Sequence, residues 1–188
     1  MMRQDISKSV IVLKKGGIII YPTDTIWGIG CDATNEQAVK KIYALKQRDD
    51  TKSMLVLVNS VNMIKDYMVE FPDVAYKLTG NAERPTTIIY PGARNLAKNL
   101  VNTDGTIGIR VTKDEFCNRL ISEFKKPVVS TSANISDRPY PKTFSDIDPG
   151  ILKQAGYVVK WRQNDKTESL PSGIIKIFEN GRIEIIRE

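Results

Sequence analysis

The 188-residue sequence contains no histidine. That absence excludes the Ser-His-Asp triad, the Cys-His dyad, imidazole metal ligation and histidine acid–base catalysis. Cysteine is scarce: Cys31 and Cys117 are the only two. They are too few for a zinc site of cysteines alone and for a disulfide framework. They read as buried or free thiols in a reducing compartment. No apolar run approaches the roughly 18–20 residues of a membrane span. The opening MMRQDISKSVIVLKKGG lacks the long apolar core and the cleavage site of a signal peptide. Repeats, low-complexity segments, Pro/Gly/Ser-rich linkers and basic tails are also missing. These absences lead to the expectation of a cytoplasmic protein with no membrane segment, forming a single domain over 1–188.

What is present is ordinary globular composition, with 41% hydrophobic, 27% charged and 7% aromatic residues. There are 28 basic against 22 acidic residues, a net charge of +6. The excess is spread along the chain. It suits anionic ligands such as nucleotides or RNA, and solubility accounts for it equally well. Chemistry must come from hydroxyls, carboxylates, Lys and Arg, backbone N–H groups, or a metal brought in with substrate.

Periodicity predicts a helix over 5–15, ended by Gly16-Gly17, and a strand over Ile18–Tyr21 stopped by Pro22. Thr34-Asn35-Glu36-Gln37 matches a capping box before a helix carrying Val39, Ile42 and Tyr43. Further strands are expected over 54–58, 86–90, 106–111, 128–131, 157–161 and 173–178, and helices over 61–68, 73–80 and 113–124. Residues 132–148 have no clear periodicity. Asn180-Gly181 predicts a primed-turn hairpin joining 174–178 to 183–186. The pattern is α/β on a mixed sheet.

Four segments place polar groups where plain core strands would end. The first is Tyr21-Pro22-Thr23-Asp24-Thr25-Ile26-Trp27-Gly28-Ile29-Gly30. Its hydroxyls and N–H groups suit a small polar ligand or phosphate, or simply cap a strand turn. Its Gly-x-Gly lacks the third glycine of a dinucleotide fingerprint and follows a Trp rather than a strand. The second is Lys46-Gln47-Arg48-Asp49-Asp50-Thr51-Lys52-Ser53, whose cations suit phosphate or a solvated helix end. It has no GxxxxGK[ST] pattern. In the third, Thr106-Ile107-Gly108-Ile109-Arg110-Val111, an Arg inside an apolar strand needs a partner: a structural carboxylate or a substrate carboxylate. The fourth, Ser130-Thr131-Ser132-Ala133-Asn134-Ile135-Ser136, gathers hydroxyls and an amide after a buried strand, either as a ligand loop or as a Ser/Thr turn.

In this order and spacing, YPTDTIWGIGCDA, KQR…KSM, TIGIRV and STSANIS resemble the YrdC-like family, the L-threonylcarbamoyl-adenylate synthases of tRNA modification. The resemblance runs from Gly16 to about Arg187 and is closest to the short, single-domain bacterial type. It implies an open twisted mixed α/β sheet with flanking helices and a large concave cavity. It implies an enzyme, a nucleotidyltransferase using ATP, bicarbonate and L-threonine, with Mg²⁺ held mainly by the phosphates. Position by position, it puts Thr25, Arg110, Ser130 and Ser172 on threonine. Lys46, Arg48 and Lys52 would face the ATP phosphates, with Thr106, Ser132 and Asn134 on the nucleotide side. No protein metal ligand and no general acid or base is assigned. A threonylcarbamoyl transferase complex would take the product to adenosine 37 of tRNA, and tRNA or double-stranded RNA is a further expected contact.

The chain departs from the family pattern at several places. Asp49 stands where a Pro is usual. Arg84-Pro85-Thr86-Thr87 keeps only part of a Trp-Pro-Gly-Pro-x-Thr segment. Asp137 and Gly173 replace a Gly and a Thr, and Leu57 sits near the place of a His in some members. Two alternatives follow: a paralogous carbamoyl- or adenylyl-transferring enzyme on the same fold, or a non-catalytic RNA-binding module.

Overall fold

The structure, a computed structural model, describes residues 1–47, 54–80 and 84–188. Among these, six α-helices and nine strands alternate along the chain: α1 (Met2–Lys14), β1 (Ile19–Tyr21), β2 (Gly28–Gly30), α2 (Glu36–Lys46), β3 (Leu55–Val58), α3 (Val61–Lys65), α4 (Asp73–Gly80), β4 (Thr86–Tyr90), β5 (Ile107–Val111), α5 (Glu115–Phe124), β6 (Val128–Ser132), α6 (Pro149–Gln154), β7 (Tyr157–Val158), β8 (Gly173–Ile177) and β9 (Ile183–Arg187). The strands form one open mixed sheet in the order β7-β1-β2-β6-β3-β5-β4-β8-β9. Three of its pairings are parallel, β1 with β7, β3 with β5 and β4 with β8; the others are antiparallel.

The helices form where apolar residues recur at helical spacing, and in α2, α3, α5 and α6 a polar side chain closes the first turn. In α1, Ile6, Val10 and Leu13 make the buried stripe. In α5, Asp114 caps the Cys117 N–H at 2.8 Å while Phe116, Leu120, Ile121 and Phe124 face the core. The cap of α2 is Asn35, which accepts from the Ala38 N–H at 3.0 Å. The expected capping box is displaced by one residue because the Thr34 hydroxyl donates instead to Asp32 at 2.7 Å.

Other expectations are corrected too. Gly28-Ile29-Gly30, for which no element was expected, is a strand, paired over all three residues with β1 and over Gly28 and Ile29 with β6. The stretch 132–148 is followed by α6, a short helix capped by Asp148 with Pro149 in its first turn. The strand expected over 157–161 is only Tyr157–Val158. The β8–β9 hairpin closes through three residues rather than two. Phe178 O accepts from the Gly181 N–H at 2.9 Å, and the Phe178 N–H donates to Arg182 O at 2.9 Å. Only Gly181 in this loop has positive φ, +78°, the three-residue pattern with a left-handed glycine rather than a primed turn.

Sheet register decides which residues share a face, because directly opposed residues point the same way. Gly28 opposes Ser132, Leu55 opposes Ser130, Leu57 opposes Arg110, Ile89 opposes Gly108, and Thr87 opposes Ile174. One face of the sheet centre therefore carries glycines, hydroxyls and one Arg. The alternate residues Ile29, Val56, Ile88, Ile109 and Val129 are buried in the core on the other face.

Candidate active site

The small and polar face of the sheet floors a concave cavity of about 360 Å³, within the usual range for a small-molecule site. A glycine beneath this floor, Gly30, makes it possible. Tyr21 reaches across β2, and its hydroxyl donates to Val129 O at 3.1 Å. A Cβ at Gly30 would stand 2.6 Å from the Tyr21 ring and 2.7 Å from Val129 O. Only glycine lets β1, β2 and β6 close together under that ring, so the Gly-x-Gly serves packing. Burial pushes the Tyr21 phenol well above its ordinary pKa and keeps it neutral.

Pro22 ends β1, and the following loop folds on its own hydroxyls. Thr23 Oγ1 accepts from the Thr25 N–H at 3.0 Å and donates to Ile26 O at 2.8 Å. It also lies 3.0 Å from Thr25 Oγ1. Because its one proton goes to Ile26 O, the Thr25 hydroxyl must be the donor between the two. Arg110 Nη2 then donates to Thr25 Oγ1 at 3.2 Å. The same nitrogen sits 2.9 Å from Asp24 Oδ1, with Arg110 only 2% exposed. Arg110 Nε is buried with no hydrogen-bond partner. Both readings of this Arg are therefore partly realised: it is paired with a structural carboxylate, and it lines the cavity with a donor to spare.

Ser130 and Ser132 bring two hydroxyls from β6 to the wall, and Thr131 between them also lines it. Opposite them, the Ser172 hydroxyl shares a 2.8 Å hydrogen bond with Thr87. Arg187 is a second guanidinium at the cavity. Its Nε and Nη2 donate to Ser172 O at 2.9 and 2.7 Å. Burial lowers its pKa, and the charge of Arg110 lowers it further. Two like charges converge there, as an anion site requires.

Arg187 was missed in the sequence because strict alternation along β9 points it away. Ile175 opposes Ile185, but Ile174 opposes Arg187, so one residue is inserted between them. This bulge turns Arg187 onto the face that Ile174 shares with the cavity. Its only sequence signal is the break in I-E-I-I-R. Tyr140, Asn102 and Pro171 complete the rim and were also not singled out.

Of the residues expected at the site, Thr25, Arg110, Ser130, Ser132 and Ser172 line this one cavity. Thr106 stands behind the wall. Its hydroxyl donates to Asp104 at 2.6 Å and accepts from Asn102 at 2.9 Å, and Asn102 is the residue at the surface. Lys46 is also not in the lining: it is 1% exposed. Its ammonium donates to the carbonyls of Ser132 and Asn134 and, at 3.4 Å, to Asn134 Oδ1. Lys46, expected to face phosphate, is placed behind the wall, with its ammonium on main-chain oxygens. Asn134 joins the same knot, donating to Ile135 O and Arg138 O at 3.0 and 2.6 Å. Arg48, Asp49 and Lys52 lie outside the described residues.

Among the described residues no cluster of three or more Cys, Asp or Glu side chains is arranged to hold a metal. The described lining contains no carboxylate. Both cysteines are buried, and burial raises both thiol pKa values, so neither is a ready thiolate. No helix among the described residues is long and apolar enough to cross a membrane.

A family model of the Sua5, YciO and YrdC proteins, described as "Telomere recombination", matches residues 11–188. The threonylcarbamoyl-AMP synthase of Pseudoalteromonas translucida (strain TAC 125) is 32% identical over 181 residues, 95% of each chain. The crystal structure of P. abyssi Sua5 complexed with L-threonine matches at a TM-score of 0.83 and 20% identity, over 94% of this chain and 52% of that one. The crystal structure of E. coli YciO matches at 0.82 and 22% identity, over 100% of this chain and 90% of that one. Both structural matches report a shared fold.

Proposed function

The chain belongs to the Sua5/YciO/YrdC family, and from that premise we propose that it is an L-threonylcarbamoyladenylate synthase. It makes threonylcarbamoyl-AMP and pyrophosphate from ATP, bicarbonate and L-threonine, for modification of adenosine 37 in tRNA. The observation that carries the reading is Arg110. A buried guanidinium with an unpartnered Nε–H, beside the Thr25 and Ser130 hydroxyls, suits the carboxylate of a small hydroxy amino acid. The similarity to a threonylcarbamoyl-AMP synthase over 95% of both chains supports the same substrate set.

The chemistry asks for little acid–base work. The amine of threonine captures bicarbonate as a carbamate and releases water. A carbamate oxygen then attacks the α-phosphorus of ATP, the bond to the β-phosphate breaks, and pyrophosphate leaves. The reaction is nucleotidyl transfer, and the protein's part is to position the groups and neutralise charge. Thr25, Arg110, Ser130 and Ser172 orient threonine. Ser132 and Arg187 face the nucleotide, with Arg48 and Lys52 assigned to the phosphates by the family resemblance. Thr106 and Asn134 support that side from behind the wall. Mg²⁺, bound by phosphate oxygens rather than by a protein cluster, would offset triphosphate charge. We place the activity in the cytoplasm, on a single domain over 1–188. A transferase complex receives the product, and tRNA or double-stranded RNA is a further contact.

The test is incubation with ATP, L-threonine, bicarbonate and Mg²⁺. Threonine-dependent release of pyrophosphate, together with threonylcarbamoyl-AMP, is the expected result. Neither product forming overturns the reading. Pyrophosphate release that ignores threonine but needs carbamoyl phosphate would point instead to the paralogous carbamoyl-transferring enzyme.

A further inference from the structure

Lys46 ends α2, and its side chain runs beneath the turn that follows β6. Two carbonyl oxygens of that turn, those of Ser132 and Asn134, converge on its ammonium, and Asn134 Oδ1 is the third acceptor at 3.4 Å. Ser132 O also accepts from the Asn134 N–H at 2.9 Å, so the chain bends tightly at Ala133. The main chain of Lys46 takes part as well, its carbonyl accepting from the Ser136 N–H at 2.9 Å. One residue thus grips both sides of the turn. Two carbonyls pointed at one spot repel each other unless a donor lies between them.

We infer that Lys46 is a positioning residue for the reaction: its buried ammonium fixes the Ser132–Asn134 turn, and through it the Ser132 hydroxyl that faces the cavity. This rests on the synthase reading for its kinetic consequence, but the structural claim stands apart from it. Lys46 acts on the nucleotide through the turn and does not contact phosphate. Arg110 and Thr25 are held by β5 and the loop after β1, where they bond to each other, to Thr23 and to Asp24 rather than to this turn, so the threonine side is independent of it.

The test is Lys46→Met, which keeps the chain length and removes the donors, alone and combined with Ser132→Ala. Positioning predicts a KM for ATP raised at least 10-fold in Lys46→Met, with the KM for threonine changed less than 3-fold. It also predicts that Ser132→Ala adds little in the Lys46→Met background. Additive losses in the double variant would overturn the inference in favour of direct phosphate contact. Unchanged KM values with a lower melting temperature would reduce Lys46 to a core residue. Amide hydrogen exchange gives a readout that needs no activity. The amides of Ala133 and Ser136 should exchange at least 10-fold faster in Lys46→Met, while those of β1 stay protected. Unchanged exchange at 133 and 136 overturns the inference even if the enzyme proves to have another substrate. If Lys46→Met does not fold, Asn134→Ala keeps both carbonyls but removes the third acceptor of Lys46, Oδ1, and the Nδ2 bonds to Ile135 O and Arg138 O that hold the same turn. It should show the same local exchange and the same rise in ATP KM, and its failure on both counts is equally decisive.

Discussion

The two walls of the cavity are built differently. The inner wall, from β1, β2, β6 and β5, is made of central strands. Apart from Arg110 Nε–H, its donors are already committed: Arg110 Nη2 to Asp24 and Thr25, Thr25 to Thr23, Thr23 to Ile26 O, and Tyr21 to Val129 O. The outer wall comes from β8 and β9, where every residue of β9 is exposed. There, Arg187 depends on a bulge for its direction and on one carbonyl for its anchor. The difference teaches where preorganisation comes from. In the centre of a sheet, register alone aims side chains, and packing removes their freedom. At the edge, a local irregularity must do the aiming, and solvent competes for the charge.

The largest effect expected is on the inner wall. Arg110→Ala strips the buried Asp24 of its cation and removes the proposed carboxylate ligand. Losing one partner of a buried pair costs about 3 kcal/mol or more of stability, and losing a buried charged contact to the substrate carboxylate, about 2.7 kcal/mol, should raise the KM for threonine roughly 100-fold. An unchanged KM would remove the assigned role and level the two walls. Gly30→Ala comes next. Its methyl would collide with Val129 O and the Tyr21 ring, and overpacking of this kind destabilises by about 2 kcal/mol. Thermal unfolding should fall by roughly 4–8 °C. A melting temperature equal to that of the parent would mean that the central strands yield more readily than their register implies. The smallest effect is on the outer wall. Arg187→Met should raise the KM for ATP roughly 10-fold, about 1.4 kcal/mol, with little change in threonine KM or thermal stability. A loss as large as that of Arg110→Ala would erase the contrast between edge and centre.

Much of the scaffold was legible because its signals are local. The stripe of α5 and the compact apolar strands β3 to β6 follow from spacing within about ten residues, whereas the cap of α2 falls one residue later than its motif suggests and the Asp114 cap of α5 was not singled out. What was not legible depends on distance along the chain. Gly28-Ile29-Gly30 looks like a loop until Tyr21 is seen lying across it. Lys46 looks like one cation of a polar loop, and only its contact with residues 86 and 88 positions away shows it buried. Arg187 needs the bulge before it faces the site at all. Of the residues that line the cavity, Thr25, Arg110, Ser130 and Ser132 lie in segments singled out in the sequence, and Ser172 came only from the family resemblance. The second guanidinium and Tyr140 came only from the folded chain.

Two residues of the cavity floor, Gly28 and Gly108, have a consequence for how this protein can change over generations. A Cβ at Gly28 would sit 3.2 Å from Ser130 Oγ, and one at Gly108 would sit 3.2 Å from Thr87 Cγ2. Both positions already hold the smallest residue there is. Every amino-acid replacement at either codon therefore adds atoms to the floor, and none can take any away. Drift at these two sites runs in one direction, like a ratchet. It can raise the floor and exclude ligands, but a roomier chamber would have to be opened somewhere else.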